Sequence, residues 1–178
     1  LVVRSEKLKP EYLRVILNRF FSWNKEEAEN IARSMVIQTK SDNEELFEKG
    51  LIGADALLFH TKNSGWEIIW PLIISDEIFG KKLILNIAFQ GMGQGSYLFS
   101  KLTPTQLVDF YSWLVGQFPP SEDPIVRGGH SVSPREEVAD FRDRIPRFLA
   151  RIGTQEAYDE FENLIKKFPD IQWLANLK

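Results

Sequence analysis

The feature that most constrains the fold is a helix-start signal that recurs along the chain, each time ahead of apolar residues at helical spacing. Thr103-Pro104 and Ser133-Pro134 each place a capping hydroxyl before a proline at the first helical position. Gln106 and Glu136 stand three residues after the two caps, where a capping box requires an amide or an acid. The inward faces of the two predicted helices then carry Leu107, Phe110, Tyr111 and Leu114, and Val138, Phe141, Ile145, Phe148, Leu149 and Ile152.

The last third of the chain continues with two more predicted helices. Gly153 is expected to end the preceding helix as a left-handed C′ residue, and Thr154 to cap the next helix one residue later. Pro169 should stop that helix, and a short final helix should carry Trp173. Pro146 lies inside an apolar stripe, so we expect it to bend its helix without ending it.

The first two thirds show the same pattern with weaker start signals. A second helix is expected over 25–38, and a third begins after Asp42 or Asn43 and is loosened by Gly50 and Gly53. Two further helices begin at about Ser64 and Asp76, and we favour helix over strand for 83–89 because polar residues share its opposite side. The first helix opens at Pro10, and its expected inward face carries Tyr12, Leu13, Ile16, Leu17 and Phe20.

We therefore expect an all-α fold in which short helices pair into an irregular, solenoid-like helical repeat array or a bundle. Residues 1–178 should form one helical domain, or subdivide into 1–118 and 133–178 joined by a long loop over 119–132. The chain starts with Leu1 rather than with Met. We interpret it as a C-terminal fragment of a larger protein.

Composition narrows the classes of function. The 22 basic and 25 acidic side chains give a formal net charge of −3, whereas a nucleic-acid-binding surface usually needs a basic excess. Cysteine is absent, which excludes disulfides and thiolate zinc sites and favours a reducing compartment such as the cytoplasm. No apolar run approaches the 18 or so residues of a membrane span, so neither nucleic acid nor membrane is an expected partner.

The search for reactive chemistry gives weak signals. The run from Gly91 to Gly95 resembles a phosphate loop, but Ser96 follows where nucleotide binding would require a lysine. His60 and His130 are far apart and lack metal-ligand spacing to any acid pair. Acid pairs fall in the first turns of predicted helices, where the helix dipole favours negative charge. We expect no catalytic, cofactor-binding or metal-binding residue and no cofactor; the alternative is a small stand-alone enzyme with its site in the two glycine-containing loops.

The remaining candidates are partner-binding residues. Trp66 and Trp70 share one face of a predicted helix, which more often means core packing but is also typical of a contact surface. Arg127 and His130 lie in the long loop, where binding residues are often found. We predict that these four residues contact a protein partner or other domains of the parent chain.

The chain also resembles a known family over residues 54–178. The resembling segments are Ala56-Leu57-Leu58-Phe59-His60, Gly65-Trp66-x-x-Ile69-Trp70-Pro71, Leu102-Thr103-x-x-Gln106-Leu107-x-x-Phe110-Tyr111-x-Trp113-Leu114, Phe118-Pro119-Pro120-x-Glu122-Asp123-Pro124, Ser133-Pro134-Arg135-Glu136-x-Val138, Phe141-Arg142-Asp143-x-Ile145 and Gly153-Thr154-x-Glu156-Ala157. Together they are similar to the C-terminal helical region of bacterial, often cyanobacterial, NACHT-type signalling NTPases of the STAND class.

The resemblance implies a parent protein with an N-terminal effector, a central NTPase switch and a C-terminal helical sensor, in some members serving defence signalling. The Walker motifs of the NTPase are absent from this chain, so no nucleotide role is carried over. The expected function is thus a non-catalytic interaction or sensor module. A purely structural spacer, which would tolerate surface substitutions everywhere, is a further alternative.

Overall fold

The computed structural model describes residues 8–40, 42–89, 96–125 and 133–175, and within these ranges the chain is helical and contains no strand. The expectation of an all-α fold is confirmed, including helix rather than strand at 83–89. The helices are α1 (Pro10–Trp23), α2 (Lys25–Ile37), α3 (Glu44–His60), α4 (Asn63–Ser75), α5 (Glu77–Phe89), α6 (Ser96–Phe99), α7 (Pro104–Gln117), α8 (Pro134–Leu149), α9 (Gln155–Lys167) and α10 (Gln172–Ala175), with a short 3-10 turn at Pro120–Glu122.

The helix ends follow the signals that the sequence carries. The Thr103 hydroxyl accepts the Gln106 amide at 3.2 Å, and the Gln106 side chain accepts the Thr103 amide at 3.0 Å, which completes a capping box. Asn43, rather than Asp42, caps α3. Gly153 has the left-handed φ of 75°, but the prediction that it ends α8 as the C′ residue is wrong, because α8 ends at Leu149 with Ala150 as its C-cap. One start differs: α4 begins at Asn63, one residue before Ser64, after Lys62 without a side-chain cap.

The helices form two compact units, Leu1–Ile84 and Leu85–Lys178. This division differs from the sequence-based one at 118, because α7 belongs with the C-terminal helices. α7 packs on α8 and α9, and two side-chain hydrogen bonds join it to α9. They connect Thr105 to Glu160 at 2.7 Å and Lys167 to Ser112 at 2.9 Å.

In the first unit, α3 runs without interruption through Gly50 and Gly53, although the sequence suggested that these glycines loosen it. The glycines instead allow α2 to approach. A Cβ on Gly53 would lie 2.7 Å from the carbonyl oxygen of Ala32, and one on Gly50 would lie 1.9 Å from the Thr39 hydroxyl. The missing side chains therefore permit the close packing of α2 on α3.

The buried face of α1 is Leu13, Leu17 and Phe21. The prediction that Tyr12 and Ile16 point inward is wrong, since they are 60% and 39% exposed. α1 carries apolar residues on two faces, so helical spacing alone could not choose between them. Contacts with α3 decide the orientation, because Arg14 pairs with Asp55 at 3.4 Å and Phe21 stacks on His60.

The core of the second unit is aromatic. The ring of Phe141 on α8 lies 5.0 Å from that of Phe99 and 6.0 Å from that of Phe110. Tyr111 on α7 packs edge-on against Phe168 at 5.5 Å, which closes the core beneath α9. None of the described helices is both long enough and apolar enough to cross a lipid bilayer.

Two glycine substitutions should separate close packing from helix propensity. Gly53→Ala should destabilise the protein by about 1–2 kcal/mol, because the new methyl group meets the backbone of α2. Gly116→Ala, in the last turn of α7 with nothing within 4 Å of an added Cβ, should stabilise it by up to about 0.5 kcal/mol through helix propensity. Urea unfolding measures both free energies. Equal effects of the two changes would contradict the packing account.

Candidate functional site

The residues predicted to bind a partner are placed as follows. Trp66 is only 2% exposed and lies in the core, so its ring does not reach the surface. Trp70 stacks on it at 4.9 Å and is partly exposed, so Trp70 alone of the pair is accessible to a partner. Arg127 and His130, like the glycine loop at 91–95, lie outside the described residues.

His60 connects α1 and α3. Its ring stacks on Phe21 at 4.4 Å, meets Phe59 edge-on at 4.8 Å and hydrogen-bonds through Nε2 to the side-chain oxygen of Asn18 at 2.9 Å. Because the oxygen accepts, Nε2 must carry the proton. His60 also stands in the last turn of α3, where the helix dipole favours a cation. These contacts give it a packing role.

A dense polar cluster surrounds Arg142 of α8, which is 1% exposed. Its Nε donates to Asp143 at 3.0 Å, and Nη1 donates to the Phe118 carbonyl oxygen at 2.7 Å. Nη1 and Nη2 together form a two-point contact with the Asp123 carboxylate. Burial would lower the pKa of Arg142, but the hydrogen bond to Asp123 and the charge of Asp143 outweigh it and raise the pKa above its usual value. The guanidinium therefore stays charged in the core.

Residues 118–124, which we call the strap, are held against α8 by this cluster. Arg135 adds a second attachment: it donates to the Pro119 carbonyl oxygen at 2.8 Å and lies over the Phe118 ring at 5.3 Å. Its guanidinium is also 3.7 Å from Asp123. Two arginines about two helical turns apart thus fix a proline-rich segment that has little helix of its own.

Sequence reasoning missed this cluster, although a signal was present. Arg142 follows Val138 by four residues and precedes Ile145 by three, so it stands on the apolar stripe of α8. A charged residue on a buried stripe requires a carboxylate partner. Asp143 and Arg147 have the i,i+4 spacing of a surface ion pair, but Asp143 pairs with Arg142, and Arg147 lies over the Trp173 ring at 5.6 Å.

The Tyr111 hydroxyl lies beside the same cluster. It is fully buried and finds no hydrogen-bond partner among the described residues. Burial, followed by the negative charge of Asp143, raises the pKa of Tyr111 well above its ordinary value. The cluster itself borders an open cleft of about 390 Å³ between the strap, α8 and Trp173. Its charged lining groups are largely satisfied by one another, so the arrangement stabilises the fold and offers no poised acid or base.

The first unit presents a different kind of cleft. It has a volume of about 330 Å³, lies between α2, α4 and the start of α5, and is lined mainly by aliphatic and aromatic side chains. Ile37 at its edge is 82% exposed. Asp76, the one acid in its lining, accepts the Phe79 amide at 3.0 Å as the cap of α5. The lining is Val36, Ile37, Thr39, Ile68, Pro71, Leu72, Asp76 and Phe79, and we call it the apolar cleft.

Within the described ranges, no three histidine, aspartate or glutamate side chains are grouped so as to hold a metal ion. No protein family model, curated protein or solved structure shows a significant match to the chain. The site must therefore be argued from its own geometry, which offers apolar contact surface in the first unit and a self-paired ion cluster in the second.

Removing one carboxylate from the ion cluster should be costly. Asp123→Ala should lower the free energy of unfolding by about 3 kcal/mol, because it leaves Arg142 buried with too few partners and releases the strap. Lys81→Ala, which removes the exposed pair with Glu77, should cost less than about 0.5 kcal/mol. Chemical denaturation measures both. A loss for Asp123→Ala as small as that for Lys81→Ala would contradict the structural role of the cluster.

Tyr111→Phe should change stability mainly at high pH. Near neutrality it should cost at most about 1 kcal/mol, because the hydroxyl that it removes has no partner. Above pH about 10 the unfolded tyrosine loses its proton while the folded one keeps it, so wild-type stability falls as pH rises further. The Tyr111→Phe variant has no hydroxyl at this position, so its stability should not show this fall at high pH. Unfolding free energies at about pH 8 and about pH 10.5 test this, and parallel pH profiles for the two proteins would contradict it.

Proposed function

We propose that the chain is a non-catalytic protein-interaction and sensor module of a larger NACHT-type switch protein. One observation carries the proposal: the apolar cleft is open and lined by aliphatic side chains, with Ile37 almost fully exposed. A monomeric protein gains no stability from such a side chain in water, whereas a protein contact can bury it. The family part of the proposal is supported by the motif resemblance alone.

The distribution of polar groups supports a binding role over a catalytic one. Catalysis requires a group whose protonation or nucleophilicity is poised for a reaction, and such a group usually stands in a cleft with few competing partners. Arg142 and Asp123 are instead bonded to each other, and His60 is held between aromatic rings and Asn18. These polar interactions thus hold the strap on α8 and hold α1 on α3.

The bound species would be a protein or another domain of the parent chain. The apolar cleft has little charge and spans three helices, so it suits an apolar side-chain cluster better than a small polar ligand. An Asp at position 37 would have to lose its hydration on binding without gaining a counter-charge from the lining. That substitution should therefore weaken the contact while leaving the core intact.

The test is quantitative co-purification from the native cells. The tagged wild-type protein should retain at least one specific protein that Ile37→Asp loses by about tenfold or more. Ile125→Asp, at a fully exposed isoleucine that is not part of the lining of the apolar cleft, is the matched control and should retain that protein. Full retention by Ile37→Asp, or equal loss by both variants, would reject the apolar cleft as the contact and favour a structural spacer.

A further inference from the structure

The outward face of α1 carries a second apolar surface, separate from the lining of the apolar cleft. Tyr12, Ile16, Arg19 and Trp23 follow one another at intervals of four, three and four residues. These intervals are the a/d spacing by which one helix packs on another in a coiled coil. We call these four residues the α1 seam. It extends over about 16 Å at 1.5 Å per residue, or three helical turns.

The α1 seam is exposed although its residues are types that proteins usually bury in contacts. Trp23 is 79% exposed, and Val15, beside the seam, is 58% exposed. The opposite side of the helix already supplies the core through Leu13, Leu17 and Phe21. The folding of α1 therefore does not need the seam. Trp, Tyr and Arg are also the residue types that contribute most to binding energy at protein interfaces.

Arg19 identifies the chemistry of the occupant. It stands inside the α1 seam, is exposed, and has no ion-pair partner among the described residues. A helix that covered the α1 seam would remove the Arg19 guanidinium from water. That removal is costly unless a carboxylate of the covering helix faces the guanidinium. We propose that the α1 seam binds an amphipathic helix of a partner protein, with an acidic side chain opposite Arg19.

Two other occupants fit less well. A second copy of this chain would bring two Arg19 side chains into one interface, and the α1 seam contains no acid to neutralise them. A membrane surface would suit cations along the polar face of a helix, but Arg19 stands in line with Ile16 and Trp23. A protein helix can place one carboxylate at one position, which the α1 seam requires.

This inference rests on the proposed function, because both require that the chain acts by protein contact, but it concerns another surface and has its own test. The probe is a monomeric, side-chain-stapled helical peptide of three turns with leucine at a and d positions and one glutamate at the central core position. A matched peptide carries lysine in place of that glutamate. Binding is measured by fluorescence anisotropy of the labelled peptides, and circular dichroism verifies the fold of each protein variant.

Wild-type protein should bind the glutamate peptide at least about tenfold more tightly than the lysine peptide. Trp23→Ala and Ile16→Asp should each weaken that binding by about tenfold or more, and Arg19→Glu should reverse the preference between the peptides. Ile37→Asp, in the apolar cleft, is the control and should bind as the wild type does. Trp23→Ala removes a largely exposed ring, so it should fold even where Ile16→Asp does not.

Several results would overturn the inference. They are the absence of saturable binding, equal affinity for the two peptides, and a loss in Ile37→Asp as large as that in Trp23→Ala. Concentration-dependent dimerisation that Trp23→Ala abolishes in sedimentation would assign the seam to a second copy. Binding to anionic phospholipid vesicles that Trp23→Ala abolishes, without peptide binding, would assign it to a membrane. None of these outcomes changes the co-purification result that tests the apolar cleft, so each proposal can fail without the other.

Discussion

The amide groups at the starts of many short helices must find hydrogen-bond partners, and the rest of the fold depends on how they do so. The first amides of a helix have no partner inside it, so a chain of short helices exposes many such groups for each residue that it orders. Side chains before the helices accept them: Asn24, Asn43, Thr103, Ser133 and Thr154 each accept an amide three residues on. Because the ends are satisfied locally, the apolar stripes remain free to define the packing.

This local satisfaction explains which parts of the fold the sequence could predict. A cap needs a residue type and an interval of three, and both are readable without knowledge of the neighbours. The starts at Thr103, Ser133 and Thr154 were therefore predicted correctly. The end of α8 was predicted at Gly153 but lies at Leu149, because the positive φ of this glycine belongs to the turn after the helix. Lys62 precedes α4 without a side-chain cap, and there the predicted start differed by one residue.

Packing between helices depends on partners that are distant in sequence. Local sequence patterns therefore could not predict which helix faces are buried or which residues make the close contacts. Gly53 is a weak helix former by propensity, but its lack of a side chain allows the backbone of Ala32 on α2 to lie close to α3. α1 has apolar residues on two sides, and only the contacts of Phe21 with His60 show which side is buried. The candidate site has the same limit: Trp66 and Trp70 share a face, yet one is core and the other is partly exposed.

The two units use their side chains in different ways, and the proposed contact function rests on this difference. In the second unit Arg142 and Asp123 satisfy each other beneath the strap, so a buried charge specifies how a proline-rich segment lies on α8. In the first unit the surface retains Trp23 and Ile37, which no described residue covers. Hydrophobic free energy that folding does not use remains available for association, roughly 25 cal/mol for each Å² that a partner removes from water. The proposed contacts with other proteins would use this free energy, because Trp23 and Ile37 are not needed for the core.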